Sequence, residues 1–287
     1  MEEIIVGVDE SDGAAAALRW AVREAAVHDW PVRAVLVWHY LDQHLLDSDT
    51  FDPAYDEGVA EKVLAAAVAR AVGEEAAATI ATTTVVDLAA QGLIEQAAGA
   101  QLLVVGARGL GGFASLLLGS VSNHCLHYAP CPVAVVRTTT SCGPTAHQRV
   151  VVGVDGSATA QRALHWALDE ARLRKATVEV VHAWRPPIVG GPFTVVPVDP
   201  TISEQAAHDV VENALAGEDT EGLDLRRTLV CGGATEALLH AAEDADLVVV
   251  GSRGLGAFQR LLLGSVSHQV AHHVRCPVVV IPSGQPH

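Results

Sequence analysis

Apolar residues in this chain fall into two patterns, short unbroken runs and longer stretches with helical spacing. The runs in the first half are IIVGV (4–8), VRAVLVW (32–38), TTTVVD (82–87), LLVVG (102–106) and PVAVV (132–136). The second half carries VVVGV (150–154), VEVVHAW (178–184), LRRTLV (225–230), LVVVG (247–251) and PVVVI (277–281). Unbroken apolar strands are buried on both faces, as in a parallel sheet. Between the runs, Leu18, Val22 and Ala25, mirrored by Leu164, Leu168 and Ala171, lie on one face of a predicted helix. Ser11 and Ser157 stand where N-caps of those helices are expected. Five strands alternating with four helices in each half predict a doubly wound α/β sheet. Ligands of such sheets sit at the carboxyl ends of the strands, where the strand order reverses.

The two halves are copies. IIVGVDESDGAAAALRWAVREA (4–25) aligns with VVVGVDGSATAQRALHWALDEA (150–171) at an offset of 146, which puts Trp20 on Trp166. Both tryptophans read as core residues of their helices. GARGLGGFASLLLGSVS (106–122) aligns with GSRGLGAFQRLLLGSVS (251–267), and CPVAVV (131–136) with CPVVVI (276–281), at an offset of 145. The expected organisation is one domain over 1–140 and a second over 147–287. RTTTSCGPTAHQ (137–148) reads as the linker.

Charge narrows the choice of partners. The chain has 34 acidic against 18 basic residues, a formal charge of -16, and its only lysines are Lys62 and Lys175. An acidic surface of that size repels phosphate backbones, so nucleic acid is not expected as a partner. No apolar run reaches the roughly 18 residues that span a bilayer, and MEEIIVGVDE is unlike the basic start of a signal peptide. A cytoplasmic protein without membrane contact is the expectation. The five cysteines form no C-x-x-C pair and are odd in number, which fits a reduced compartment. Cys131 and Cys276, each before a proline, read as small buried residues.

Candidate chemistry concentrates in the duplicated glycine segments. Gly106 and Gly251 close the fourth apolar run, so the residues after them lie on the carboxyl edge of the sheet. The spacing is then Gly106, Gly109, Gly119 and Ser120, matched by Gly251, Gly254, Gly264 and Ser265. Glycines let backbone N–H groups approach an anion, and a helix N-terminus favours phosphate. Ser120 and Ser265 are expected as N-caps, Ser122 and Ser267 as further hydroxyl donors, and Gly119 and Gly264 at positive φ. Arg108 and Arg253, the cations common to both loops, could pair with phosphate oxygens or stay solvated. A P-loop would need lysine where Val121 and Val266 stand, and a dinucleotide fingerprint would come after the first strand, so neither applies. His268 and His272 are spaced i, i+4, but Asn123 replaces His268 in the first copy and no third ligand is evident, so surface histidines are the better reading.

The pattern G-x-x-G-x9-G-[S/T], with VGVDGS on the first strand and CPV opening the last, resembles the universal stress protein family in its tandem, ATP-binding form. The likeness covers nearly the whole chain. Alanine, valine and arginine bias with scarce lysine points to a GC-rich genome such as an actinobacterium. The resemblance implies two flavodoxin-like (adenine nucleotide alpha-hydrolase-like) domains, each with a five-stranded parallel sheet of order 3-2-1-4-5. It implies ATP across the carboxyl ends of strands one and four, two sites per chain, with Mg2+ as a candidate companion ion. Asp9 and Asp155 would lie near the ribose or a phosphate-bound metal, and Val37 and Ala183, before Trp38 and Trp184, near adenine. Gly106, Gly109, Gly119, Ser120, Val121 and Ser122 would hold phosphates, with Arg108 beside them. Gly251, Gly254, Gly264, Ser265, Val266 and Ser267 would do the same beside Arg253. The first copy departs from the pattern at Glu10, where the second has Gly156, and this added charge favours the second site.

The expected function is nucleotide-dependent regulation of stress response, dormancy or growth through another protein, with no catalytic residues. An apolar fifth strand at a sheet edge asks for cover by another strand, within the chain or in a homodimer. The alternative is a slow ATP hydrolase or nucleotidyl-transferring enzyme. A flavin or redox module is the third reading.

Overall fold

In a computed structural model the described residues are 2–39, 56–110, 117–138, 148–186, 200–255 and 262–284. Most of the expected linker, the domain ends at 140 and 147 and Cys142 lie outside them. The chain divides into two compact units, the main boundary falling between residues 142 and 143.

The first unit runs β1 (Ile4–Gly7), α1 (Asp12–His28), β2 (Val32–Trp38), α2 (Glu57–Val72), the single turn α3 (Glu74–Ala77), β3 (Ala81–Val86), α4 (Ala89–Gln96), β4 (Leu102–Gly106), α5 (Ser120–Tyr128) and β5 (Val133–Val136). The second runs β6 (Arg149–Gly153), α6 (Ala158–Arg174), β7 (Thr177–Trp184), α7 (Pro200–Leu215), β8 (Leu225–Cys231), α8 (Ala234–Ala241), β9 (Leu247–Gly251), α9 (Ser265–His273) and β10 (Val278–Ile281). Within the first unit the strands lie in the order β3-β2-β1-β4-β5, and within the second β8-β7-β6-β9-β10. All these pairings are parallel. Each unit therefore has the order 3-2-1-4-5, and its reversal point lies between its first and fourth strands.

Hydrophobic burial fixes this arrangement. Ile4, Ile5 and Val6 in β1 and Val150, Val151 and Val152 in β6 are fully buried, because helices cover both faces of the central strands. The edge strands β3 and β8 carry exposed Thr82, Arg226 and Arg227, polar side chains that discourage pairing with another chain. Ser11 and Ser157 are the N-caps of α1 and α6, each hydroxyl accepting from the amide three residues on at 3.1 Å. The buried face of α1 is Ala14, Ala17, Leu18 and Ala21, while Val22 and Ala25 are only half-buried. Small alanines bring the helix close to the sheet, and the stripe turns slightly from the expected one. Trp20 is buried as expected; Trp166 is half-buried and belongs only partly to the core.

At the amino edge of each unit's sheet an ion pair joins the first two strands. In the first unit Arg33 on β2 meets Glu3 at 3.0 Å; in the second Arg149 on β6 meets Glu179 on β7 at 3.3 Å. The positions are equivalent in the repeat and the polarity is reversed. Among the described residues no helix is long and apolar enough to cross a membrane.

Burial pushes the thiols of Cys125, Cys131 and Cys276 up to about 12, which leaves them protonated and unreactive at neutral pH. Cys231, at the end of β8, is exposed. Treating the native protein with iodoacetamide at mildly alkaline pH is therefore expected to alkylate Cys231 and spare these three, while unfolding in urea opens the three to modification as well. Peptide mass spectrometry reads the difference; native labelling of Cys131 or Cys276 would contradict their placement.

Candidate functional site

Two glycines in each unit are required by close approach. A Cβ on Gly106, at the end of β4, would lie 2.6 Å from the carbonyl carbon of Gly13 in α1, and one on Gly251 would lie 2.8 Å from Thr159 Cγ2. A Cβ on Gly109 would lie 2.5 Å from Asp9 Oδ2, and one on Gly254 would press on Asp155 Oδ2. The chain leaving the fourth strand thus runs tightly against the turn that leaves the first.

The carboxylates lock the two turns together. Asp9 Oδ1 accepts from the Ser11 amide at 2.9 Å and from the Ser11 hydroxyl, while Oδ2 accepts from the Leu110 amide at 3.1 Å. In the second unit Asp155 Oδ1 takes the Ser157 amide at 3.0 Å and Oδ2 the Leu255 amide at 2.8 Å. A carboxylate is an acceptor on every lone pair, which suits it to holding several amides at once. Capping of the helices falls to the serines, and the aspartates bridge the loops instead.

Beyond residues 111–116 and 256–261, which are outside the described residues, each loop closes on its own base. Gly119 donates to the Ala107 carbonyl and Gly264 to the Ser252 carbonyl, both at 2.7 Å. The Ser122 hydroxyl donates to the Gly106 carbonyl at 2.7 Å and the Ser267 hydroxyl to the Gly251 carbonyl at 2.5 Å. These two buried hydroxyls, expected to donate to a ligand, spend their protons tying the helix start to the strand end.

The expected caps are displaced by one residue. Gly119 (φ -79, ψ 165) and Gly264 (φ -77, ψ 156) hold the extended N-cap position, and Ser120 and Ser265 are the first helical residues. Neither glycine has positive φ. A Cβ at Gly264 would make only ordinary contacts, the nearest 3.4 Å from the Ser252 carbonyl oxygen. What glycine contributes here is the lack of a capping side chain: the N-cap position itself offers no acceptor to the first turn of α5 or α9. Among the described residues no N-cap side chain therefore takes up the opening amides of either helix, where the helix dipole also favours negative charge.

In the second unit these groups border a cavity of about 400 Å³. Asp155, Ala183, Gly251, Arg253 and Gly254 line it together with Gly264, Ser265, Val266 and Ser267, so every position singled out in this copy is brought to one place. Its other side is apolar, formed by Val154, Val181, Ala234, Leu238 and Val250. In the first unit Asp9, Gly106, Arg108, Gly109, Gly119, Ser120, Val121 and Ser122 meet at the carboxyl ends of β1 and β4. Val37 on β2 packs against α4, where a Cβ on Gly92 would lie 2.8 Å from its Cγ1. The second unit exchanges this pair for Ala183 and Ala237, moving one methylated surface from strand to helix.

The Usp family model, described as the universal stress protein family, matches residues 1–137 and again 146–282. The chain belongs to the universal stress protein family. It is 35% identical over 292 residues to a universal stress protein of Mycolicibacterium smegmatis, spanning 97% of this chain and 96% of that one. A universal stress protein of Mycobacterium tuberculosis is 33% identical over 300 residues, spanning 96% and 95%. Both organisms are actinobacteria. The crystal structure of a universal stress protein from Archaeoglobus fulgidus shares the fold with a TM-score of 0.72 and 24% identity over 98% of each chain.

Several residues around these universal stress protein sites are not legible in the sequence. The apolar wall of Val154, Val181 and Leu238 consists of ordinary core letters whose placement depends on the strand ends. His182, buried on β7, holds the Val154 carbonyl with Nδ1 at 2.8 Å. Its counterpart in the first copy is Leu36, so the repeat carries no signal for it.

Removing a loop bridge has a local signature. Asp155→Ala is expected to cost about 1–3 kcal/mol of stability, the range for orphaning hydrogen-bonded groups, and to speed hydrogen exchange at the Leu255 and Ser157 amides. Denaturant titration and exchange measured by mass spectrometry check this; unchanged exchange at both amides would show that the bridge does not order the loop.

Proposed function

We propose that each unit binds ATP at the carboxyl ends of its first and fourth strands, giving two sites per chain, and that the bound state regulates a stress, dormancy or growth response through a protein partner in the cytoplasm. The observation that carries the reading is the uncapped start of α5 and α9 facing the glycine loop: open amides at a helix N-terminus select an anion. Beside it in the second unit lies an apolar wall in a cavity of about 400 Å³, within the roughly 300–1,000 Å³ of small-molecule sites, so the ligand joins a flat apolar group to a phosphate chain. Adenine against Val181, Ala183 and Leu238, with phosphates on Gly254 and Gly264 to Ser267, satisfies both halves.

Mg2+ fits beside Asp155. Both carboxylate oxygens are engaged by loop amides but each keeps a further lone pair, so the residue can offer a metal one oxygen while phosphates supply others. Asp155 is the one carboxylate among the described residues bordering the cavity, and its amide bonds hold it as an anchor between the two turns. Turnover slower than about one per second, below the usual enzyme range, is the consequence, and a regulator is favoured over a transferase.

Calorimetric titration is expected to give two ATP per chain, with hydrolysis followed in parallel. Gly264→Asp separates binding from folding. Aspartate is a good N-cap, a few tenths of a kcal/mol or so better than glycine, and the position has room for it. Its carboxylate would satisfy the helix amides and repel phosphate. The expected result is an unchanged or slightly raised Tm with ATP affinity at that site reduced at least about 100-fold. Two undiminished ATP sites in this variant would overturn the reading.

A further inference from the structure

The repeat conceals a second arginine in each unit. Arg137 follows β5 directly, beside the loop that leaves β4, and its Nη1 donates at 2.8 Å to the Leu117 carbonyl, two residues before the N-cap Gly119. Arg108 stands at the beginning of the same loop. The pKa of the half-buried Arg137 is lowered, by burial first and then by the charge of the exposed Arg108 nearby.

The second unit has Pro282 at the position equivalent to Arg137 and cannot supply a cation from there. Arg162 on α6 reaches the same corner instead: its Nη2 donates to the Pro282 carbonyl at 2.5 Å, while Arg253 Nη2 donates to the hydroxyl of the next residue, Ser283. The counterpart of Arg162 in the first unit is the buried Ala16. One unit thus places its additional guanidinium from a strand end and the other from a helix, at the end of the fifth strand in both. A corner filled twice from non-equivalent positions points to a requirement on the corner itself, because copying alone would have kept the position.

We propose that Arg137 in the first site and Arg162 in the second contact the outer phosphates of the nucleotide and set a preference for nucleoside tri- and diphosphates over monophosphates. This rests on the ATP reading of the two sites and deepens it. The helix N-terminus has amides for one phosphate group; the loop arginine and the fifth-strand arginine extend the positive surface along the sheet edge, where a longer chain of phosphates would lie. A guanidinium offers paired N–H donors matched to phosphate oxygens, so removing one weakens ligands that reach it and leaves shorter ones unaffected. An arginine that only anchors a loop carbonyl would affect every nucleotide alike.

The test titrates ATP and AMP calorimetrically into the intact wild-type chain, Arg137→Ala, Arg162→Ala and the double variant. Each single substitution is expected to weaken ATP about 10-fold or more at one of two sites while AMP stays within about twofold. The double variant is expected to weaken ATP at both sites. Arg137→Lys and Arg162→Lys, which keep the charge but lose the fork, should fall between wild type and alanine. ATP binding unchanged in the double variant, or ATP and AMP weakened equally, would overturn the proposal while leaving two ATP sites in place. Wild-type protein that takes up neither nucleotide would overturn the ATP reading itself, and this proposal with it.

Discussion

One carboxylate per unit holds two turns together that are about a hundred residues apart in sequence. Asp9 joins its own turn to the Leu110 amide, and Asp155 joins its own to Leu255. The rest of the site depends on that bridge. With the two strand ends clamped, Gly106 and Gly251 press onto the helices behind them, the loops double back to Gly119 and Gly264, and the starts of α5 and α9 are brought to the same edge. A hydrogen bond to a charged acceptor contributes more than a neutral one, and three on Asp9 and two on Asp155 leave little freedom in the loop base. The glycine-capped helix start then faces a loop base that is already ordered.

The strands were legible because burial on both faces leaves unbroken apolar runs, and the order 3-2-1-4-5 came from the family likeness those runs and glycines support. Gathering of the glycine segments at one edge was legible for the same reason: each begins where a strand stops. Chemistry at single atoms was not. Ser122 and Ser267 look like ligand donors in the sequence, yet the nearest acceptor is a strand carbonyl sixteen residues earlier that only the fold brings close. The N-cap position depends on one pair of dihedral angles at Gly119 or Gly264, and a serine beside it obscured the choice. Arg137 and Arg162 were hidden because comparing copies finds what they share, and these two residues lie where the copies differ.

Duplication separates what the site needs from what it tolerates. The aspartate bridge, the loop closure and the glycine caps occur in both units with nearly the same distances. The floor under β2 is Val37 over Gly92, and the equivalent positions in the second unit are Ala183 and Ala237. Glu10 lies at the mouth of the first site, with its backbone carbonyl held by Arg70 from α2 at 2.8 Å, where the second unit has Gly156 at φ +83. The backbone at the loop base and helix start is thus kept and the rim is varied, which gives two edges of one construction with different surroundings.

The reversed ion pair at the amino edge bears on how the chain reaches this structure at all. Two β-α-β segments of one ancestry and one shape in a single polypeptide can exchange strands during folding, a characteristic failure of repeated domains. Correct pairing sets Glu3 against Arg33 and Arg149 against Glu179. An exchanged sheet would set Glu3 against Glu179 and Arg149 against Arg33, with like charges meeting diagonally at the amino ends of both wrong strand pairs. Opposite polarity in otherwise interchangeable copies thus acts as an address label, telling each first strand which second strand is its own.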